Sequence, residues 1–373
     1  MLTSLLGIRA MVWIGPTIPL PLPPEYTASL IRVSVINDSR AEDGFELTFA
    51  LGKDASADFG LIASGTVDVF NRVSIAVILG VVPEFLIDGI ITEQEVMPSD
   101  QPGESMLVIR GRDVRVMMDL EEKDATFPNM PDFTIALSVL GSYSQYGLVP
   151  TTIPTTDVPI ELLRIPRQAE TDLQFVKRLA ARNGFIFYVE PIVLGANLAY
   201  FGPETRIGVP QSALVIDMGH RTNLKSLSFT NDSLAPVKVL GTFIEPISMQ
   251  PIDVPSLPSL NVPPLASSAA KARRTTLLRC VGNASPAGAM AASAAATSNA
   301  PDAVTCAGEI DCVRYGSVLR ARRLVGIAGA GRTHDGNYYV RRVTHTIEPH
   351  NSYTQSFLAT REGTGAMFPV VVT

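Results

Sequence analysis

Cysteine is scarce: Cys280, Cys306 and Cys312 are the only three in 373 residues, an odd number gathered late in the chain. That excludes a disulfide framework and predicts a reducing compartment. Charge is also thin, at 18% Asp, Glu, Lys and Arg against about 25% in an average soluble domain. No long unbroken apolar run occurs. The longest early stretch, Ala10 to Leu22, is interrupted by Pro16, Pro19 and Pro21 and has neither a basic leader nor a small-residue cleavage site, so neither a signal peptide nor a membrane span is expected. The 28 glycines and 28 prolines follow no fixed period and 46% of the residues are hydrophobic, which excludes collagen-like and disordered chains.

What is present is enough for two or three domains. Area scaling gives a folded monomer of this size an accessible surface of ~14,000 Å² against ~58,000 Å² unfolded. With a mean hydropathy of +0.23, more apolar surface remains than one core absorbs, and a partner interface is implied. The net charge of −6 is unevenly placed: residues 1–259 carry 18 basic and 30 acidic side chains, residues 260–373 carry 12 and 6. An acidic majority argues against nucleic-acid binding by charge neutralisation. The basic end suits docking to an acidic neighbour or to another copy's front half.

Period-two alternation dominates the pattern. Phe45, Leu47, Phe49 and Leu51 point one way and Glu46 and Thr48 the other, as in a half-buried strand. Residues 74–82, 84–96, 106–110, 184–190, 224–229, 237–244, 322–328, 337–347 and 352–360 read similarly between turn residues. Helices are few. The strongest runs from Thr171 to Asn183, with Thr171 and Gln174 as a capping pair, Asp172 at the positive end, Gly184 as the C-cap, and Leu173, Phe175, Val176, Leu179 and Ala180 on one face. Weaker helical patterns cover Asp113 to Glu122 and Pro131 to Tyr143, and Ala287 to Thr297 reads as helix or linker. Met1 to Pro24 is an apolar, proline-rich arm, Leu148 to Pro159 a Thr/Pro hinge, and Pro246 to Ser268 a Pro/Ser linker that runs into an Ala/Ser stretch.

Each residue set that could carry chemistry also has a plain structural role. A metal site needs three or four converging ligands. Cys306 and Cys312 lie six apart with no neighbouring histidine, and His334, His345 and His350 flank a predicted hairpin, so buried thiols and surface or strand-end histidines are expected. No G-x-S-x-G elbow occurs, and Gly103-Glu104-Ser105 is a loop between strands. Glu93, Glu95, Asp113, Glu121 and Glu122 are the carboxylates open to glycoside cleavage, yet their neighbours predict solvated strand and helix faces. Gly326-Ile327-Ala328-Gly329-Ala330-Gly331 has glycines at one, four and six rather than one, three and six, and leads to another strand, which makes it a hairpin and not a dinucleotide loop. Tyr338-Tyr339-Val340-Arg341-Arg342 interleaves aromatic and basic residues as a nucleic-acid platform would. The plainer expectation is a barrel strand with an apolar inner face and an outer face that meets a charged partner.

The segment Asp335-Gly336-Asn337-Tyr338-Tyr339-Val340-Arg341-Arg342-Val343-Thr344-His345-Thr346-Ile347, followed by Tyr353-Thr354-Gln355-Ser356-Phe357 and Arg361, resembles the closing hairpin of the phage late control protein D family, baseplate hubs of contractile tails and injection systems. Arg314 to Leu319 with Leu324-Val325-Gly326 and Gly329-Ala330-Gly331 is similar to its late strand pair. Glu170 to Val176 and Gly184 to Val189 resemble its mid-chain helix and hairpin, shared with the spike proteins of type VI secretion. Gly89-Ile90-Ile91-Thr92 and Val108 to Asp113 resemble its first-domain strands. The resemblance covers about Tyr26 to Gly363, least in 246–310.

It implies an α+β, mainly β chain: two tail-tube-like antiparallel β-barrel domains with an intervening α+β domain carrying a few short helices. The implied boundaries are a proline-rich arm (1–25), a first barrel (26–118), a central α+β domain (119–215), a discontinuous second barrel (216–245 and 311–363), a Pro/Ser/Ala-rich linker or insertion (246–310) and a tail (364–373). It further implies a structural, non-enzymatic homotrimer that joins a hexameric inner tube to a trimeric spike and seeds tube assembly. The expected partners are a separate spike protein, since no needle repeat follows Arg361, an inner-tube or tube-initiator protein, baseplate wedge components, and a tape-measure protein or cargo in the lumen. No catalytic, cofactor or metal residue is carried over, no cofactor is expected, and neither a membrane span nor specific nucleic-acid binding is implied. The implied location is the cytoplasm of the producing bacterium during assembly, then the tail or injection particle. An acidic front half, including Glu42, Asp43, Asp54 and Asp58, would let a polyanion slide through a lumen. The rival readings are a peptidoglycan-cleaving glycosidase and a β-rich carbohydrate- or receptor-binding tip.

Overall fold

The structure, a computed structural model, describes residues 8–52, 59–79, 82–101, 103–162, 164–244, 248–278, 285–349 and 352–370. Its elements run β1 (Ile8–Gly15), β2 (Leu20–Pro21), α1 (Pro24–Ala28), β3 (Leu30–Asp38), β4 (Gly44–Ala50), α2 (Gly60–Ala63), β5 (Arg72–Leu79), β6 (Pro83–Met97) and β7 (Met106–Asp113). The middle of the chain gives β8 (Glu122–Thr126), α3 (Asp132–Gly141), β9 (Leu148–Thr152), β10 (Arg167–Thr171), α4 (Asp172–Asn183), β11 (Ile186–Val193) and β12 (Ala196–Gly202). The remainder is β13 (Gln211–Val215), β14 (Leu224–Asn231), β15 (Val237–Ile244), β16 (Pro251–Val254), β17 (Ala266–Ala269), β18 (Arg274–Leu277), α5 (Pro286–Ser298), β19 (Val304–Asp311), α6 (Cys312–Tyr315), β20 (Leu324–Ala328), β21 (Gly336–Glu348), β22 (Ser352–Arg361) and β23 (Gly363–Ala366). The protein is mainly β, with several antiparallel sheets and few helices. Among the described residues no helix is long and apolar enough to cross a membrane.

Alternation builds the largest sheet. In β4 the side chains of Phe45, Leu47 and Phe49 are buried and their neighbours half-buried, and they meet Val33, Val35, Val73, Ile75, Leu107 and Ile109 in one core. The strand order is β14-β19-β22-β21-β3-β4-β7-β6-β5-β1-β2, with β20 on β21 and β13 on β20, 13 strands in all. One edge of β21 is shared: its first residues pair with β20, and Arg342 to Ile347 pair with Asp38 to Val33 of β3. The early and late strands therefore form a single sheet. Cys312, Val318, Ile347 and Tyr353 from the late part complete the early core.

Among the described residues no closed barrel is found; β3 and β21 hydrogen-bond to each other and join the early and late strands in one sheet. Ile8–Gly15, within the proline-rich arm, pairs along the whole of β5 and buries Val12, Trp13 and Ile14.

The central helices lie over a small sheet, β11-β12-β9, in which β9, the start of the Thr/Pro hinge, runs parallel to β12. Their core is Ile135, Leu140, Phe175, Val176, Leu179 and Phe201. Helix α4 begins where the sequence predicts: the Thr171 Oγ1 accepts from the Gln174 amide at 3.3 Å, and Gly184 ends the helix at φ +69°. The helical pattern at Asp113 to Glu122 shortens to a 3-10 turn, Val114–Met118, because the Asp113 carboxylate caps it and the chain re-enters a strand at Glu122. Residues 246–310 supply β16 and β18, which flank β15 in a three-stranded sheet that packs Phe243 and Val254 on Ala289 of α5, and they contain most of β19, a member of the large sheet.

Candidate functional site

The cysteines and histidines do not converge. Cys306 and Cys312 are free and fully buried. Burial pushes the Cys306 thiol up to about 12 and raises that of Cys312 as well. Cys280 and His350 lie outside the described residues. His334 stacks on Phe229 with ring centroids 4.4 Å apart. His345 departs from the expected surface or strand-end placement: it is 0% exposed within β21. Its Nδ1 lies 2.8 Å from the Tyr353 hydroxyl and accepts from the Gln355 amide at 3.0 Å. The Gln355 orientation is set by Leu319, whose N–H it accepts and whose carbonyl it bonds. The proton of neutral His345 is thus on Nε2, and burial, with Arg320 nearby, holds the ring down at about 3. Among the described residues no group of three or more His, Cys, Asp or Glu is arranged to hold a metal.

The acid candidates separate. Glu93 and Glu95 are exposed on β6 and both bind Arg110, at 3.1 and 2.9 Å, which also binds Glu46 at 2.8 Å. Glu121 and Glu122 are exposed at the entry to β8. Asp113 differs from the expected solvated face: it is 2% exposed, and its carboxylate accepts from Arg115 at 2.6 Å and from the Asp43 amide at 3.1 Å. Gly103 to Ser105 stay in the β6–β7 loop, where the Ser105 hydroxyl accepts from the Ser99 amide. The glycine-rich stretch forms the β20–β21 turn; a Cβ at Gly329 would sit 1.8 Å from the Ile216 carbonyl oxygen, a close approach that only glycine permits.

The aromatic platform is absent from the surface. Tyr338 packs in the late core and Tyr339 beside Leu265 and Leu324 on the opposite face. On the outer face Arg342 binds the chain's own Asp38 at 2.6 Å and stays half exposed. A bulge between Val340 and Arg342 changes the register against β22 there.

What sequence reasoning missed is a set of buried ion pairs at the joint between the early strands, the central unit and the late strands. Arg322 donates to Asp43 at 2.5 Å and to the Asp38 carbonyl at 2.7 Å, and its guanidinium lies 4.4 Å from the Tyr188 ring centroid. Arg115, also buried, reaches the Phe187 carbonyl. Burial disfavours both cations, yet Asp113 and Asp43 hold Arg115, and Asp43 holds Arg322, above the ordinary arginine range. On the next strands Arg72 and Asn197 both bind Asp88, which ties β5 and β6 to β12. Glu42, expected on a free acidic loop, binds Arg112 and Lys177, and Asp43 is 1% exposed; Asp54 and Asp58 lie outside the described residues.

The conspicuous residues of the closing hairpin are pins of the same kind. Arg361, fully buried, donates to the carbonyls of Asp335 at 3.0 Å and Thr333 at 2.6 Å and covers the Tyr338 ring at 4.3 Å. These arrangements fix angles between segments rather than present a reactive atom. The features available to partners are surfaces: the outermost strands β2 and β14 of the large sheet, and the loop carrying Val158, Ile160 and Leu162, at 57, 58 and 91% exposure.

No protein-family model matches the chain, and no curated protein matches it in sequence. Solved structures do match in fold. A tail protein from Neisseria meningitidis MC58 superposes with a TM-score of 0.63 at 14% identity, over 96% of this chain and 98% of that one. The 43 kDa tail protein of prophage MuSo2 from Shewanella oneidensis gives 0.63 at 12% identity, over 95% and 99%. The E. coli c3393 protein, described as a component of the type VI secretion system with structural similarity to the T4 bacteriophage tail proteins gp27 and gp5, gives 0.56 at 13% identity, over 92% and 76%. The chain therefore shares the fold of these phage tail and type VI secretion proteins.

Proposed function

We propose that this protein is a structural baseplate hub of a contractile tail-like machine. The observation that carries the reading is the end-to-end fold likeness to tail proteins, over 96% of this chain and 98% of the Neisseria protein. In this reading the two halves of the large sheet are the two tube-like units, completed as barrels by neighbouring copies, so that a trimer offers six such units to a hexameric tube and three faces to a separate spike. Two features favour it. The free outer strands leave unpaired backbone groups for a neighbour. The accessible surface, 18087 Å², exceeds the ~14,000 Å² expected of a compact monomer of this mass, as a subunit of a larger assembly should. The work is geometric: the chain binds partners, transmits force and has no catalytic role. The particle assembles in the bacterial cytoplasm and the hub ends in the tail or injection particle, beside wedge, tube-initiator and tape-measure or cargo components.

The test is assembly. Mixed with its tube and spike proteins, the hub should give spike-capped tubes in negative-stain images, with the hub at the tube end and few tubes when it is omitted. Tubes that form and cap equally well without it would reject the adaptor and seeding role.

A further inference from the structure

Where the early, central and late parts of the chain meet, the ion pairs leave some buried polar atoms over. Arg40 follows the end of β3, and both terminal nitrogens of its guanidinium are used at the end of α5: Nη1 donates to the Asn299 carbonyl at 2.9 Å and Nη2 to the Ser298 carbonyl at 3.1 Å. Its Nε is buried and has no hydrogen-bond partner among the described residues. Glu204, just after β12 and 3% exposed, uses Oε1 for Arg206, which donates to it from Nε at 3.1 Å and from Nη2 at 2.9 Å. The other oxygen, Oε2, is buried without a hydrogen-bond partner and stands 3.9 Å from Nη2 of Arg40, beyond hydrogen-bond reach.

Two residues of β21 complete the set. The Ser39 amide donates to the Arg341 carbonyl at 2.9 Å, which lays the turn carrying Arg40 against this part of the strand, and Arg341 Nε is buried and unpartnered among the described residues. Tyr339, 1% exposed, has a buried hydroxyl that is likewise unpartnered. Burial and then the Glu204 charge push this hydroxyl well above the ordinary tyrosine value. Burial and then the like charge of Arg341 lower Arg40, against the pull of Glu204, Asp302 and Tyr339. Four buried polar atoms from separate segments of chain thus gather in one place, and buried donors and acceptors left bare are costly.

We propose that this place is a binding site for one or two structural waters, which donate to Glu204 Oε2 and accept from Arg40 Nε, Arg341 Nε and the Tyr339 hydroxyl. The mix of donors and acceptor selects water. An anion would meet the Glu204 carboxylate, a cation would meet the guanidiniums of Arg40 and Arg341, and an apolar group would satisfy none of the four atoms. Water both donates and accepts, and a buried one makes about three such bonds. Held there, it joins the end of β3, the exit of β12 and β21, so that the meeting point of the three parts rests on solvent as well as on ion pairs. The proposal is independent of the hub reading, because it concerns what holds these segments together and not which machine holds the chain.

A crystal structure of the full chain, at a resolution that orders internal waters, tests the site directly. Water density should stand within hydrogen-bond distance of Glu204 Oε2 and of at least one of Arg40 Nε, Arg341 Nε and the Tyr339 hydroxyl. Crystals soaked in sodium bromide should show no anomalous peak there. Tyr339→Phe gives the reading in solution, because the sign of its effect separates the two cases. A hydroxyl bonded to water should, when removed, raise the equilibrium constant for urea unfolding about fivefold. A hydroxyl with no partner at all would instead make the phenylalanine variant the more stable protein. Missing water density, a bromide peak, or a Tyr339→Phe variant at least as stable as the wild-type chain would each overturn the proposal.

Discussion

Arg361 and Asp43 show how much of this protein is decided by single buried charges. Replacing Arg361 with Ala removes two hydrogen bonds to the carbonyls of Thr333 and Asp335 and the cover of Tyr338. The expected cost is about 3 kcal/mol in urea denaturation, with faster proteolysis in the β20–β21 turn. Asp43→Asn leaves the buried Arg322 without its carboxylate, while Arg115 keeps Asp113, and should cost about 3–5 kcal/mol, whereas Glu93→Gln and Glu95→Gln, on an exposed strand face, should leave the denaturation midpoint unchanged. Neutralising Asp43 therefore reports on folding and cannot test an acidic lumen. His345 sets a pH dependence. Its folded value, about 3, lies below the ordinary 6.5 of the unfolded chain, so protons bind the unfolded state first, and stability is lost as pH falls from about 6.5 towards 3. The slope from this group is about 1.4 kcal/mol per pH unit. His345→Gln should flatten that part of the acid limb, and an unchanged slope would show that the ring is not held neutral. The motif residues themselves were legible in the sequence, but their partners were not: a backbone carbonyl carries no residue signature, and Arg322 meets Asp43 across 279 positions of chain.

At the scale of elements, local signals were read well and tertiary ones were not. Helix α4 carries its own start, face and stop, so it appears where caps and periodicity place it. Strand β1 was hidden by the neighbouring prolines, and its place beside β5 is set by long-range pairing. The alanine stretch could not be assigned because alanine favours helix without giving it a side to bury. In the structure α5 is a helix because small residues let it press on the end of α4, where a Cβ at Gly184 would lie 2.8 Å from the Ala295 Cα. Arg40 then donates to the carbonyls of Ser298 and Asn299 at its far end. Gly184→Ala meets both this contact and a left-handed φ of +69°. It should cost about 1–3 kcal/mol and raise hydrogen exchange in α4 and α5 together. Exchange that rises in α4 alone would show the two helices to be uncoupled.

At the scale of the whole molecule, the strand-rich character and the absence of a disulfide framework follow from composition and alternation, and the hairpin motif pointed to the correct fold. The topology did not follow. Whether two strand sets close separately or fuse depends on which edges pair, and β3 and β21 carry no local mark that they will join. Fusion joins the early and late strands in one 13-stranded sheet with β2, β14 and, on its branch, β13 at the ends, and the proposed hub uses such ends to reach neighbouring copies. The most direct test of that claim is the mass of the purified chain in solution by light scattering, alone and with its spike protein. The account predicts a species near three times 40.0 kDa, or a monomer that converts to a 3:3 complex when the spike is added. A monomer that persists at every concentration and ignores the spike would contradict it.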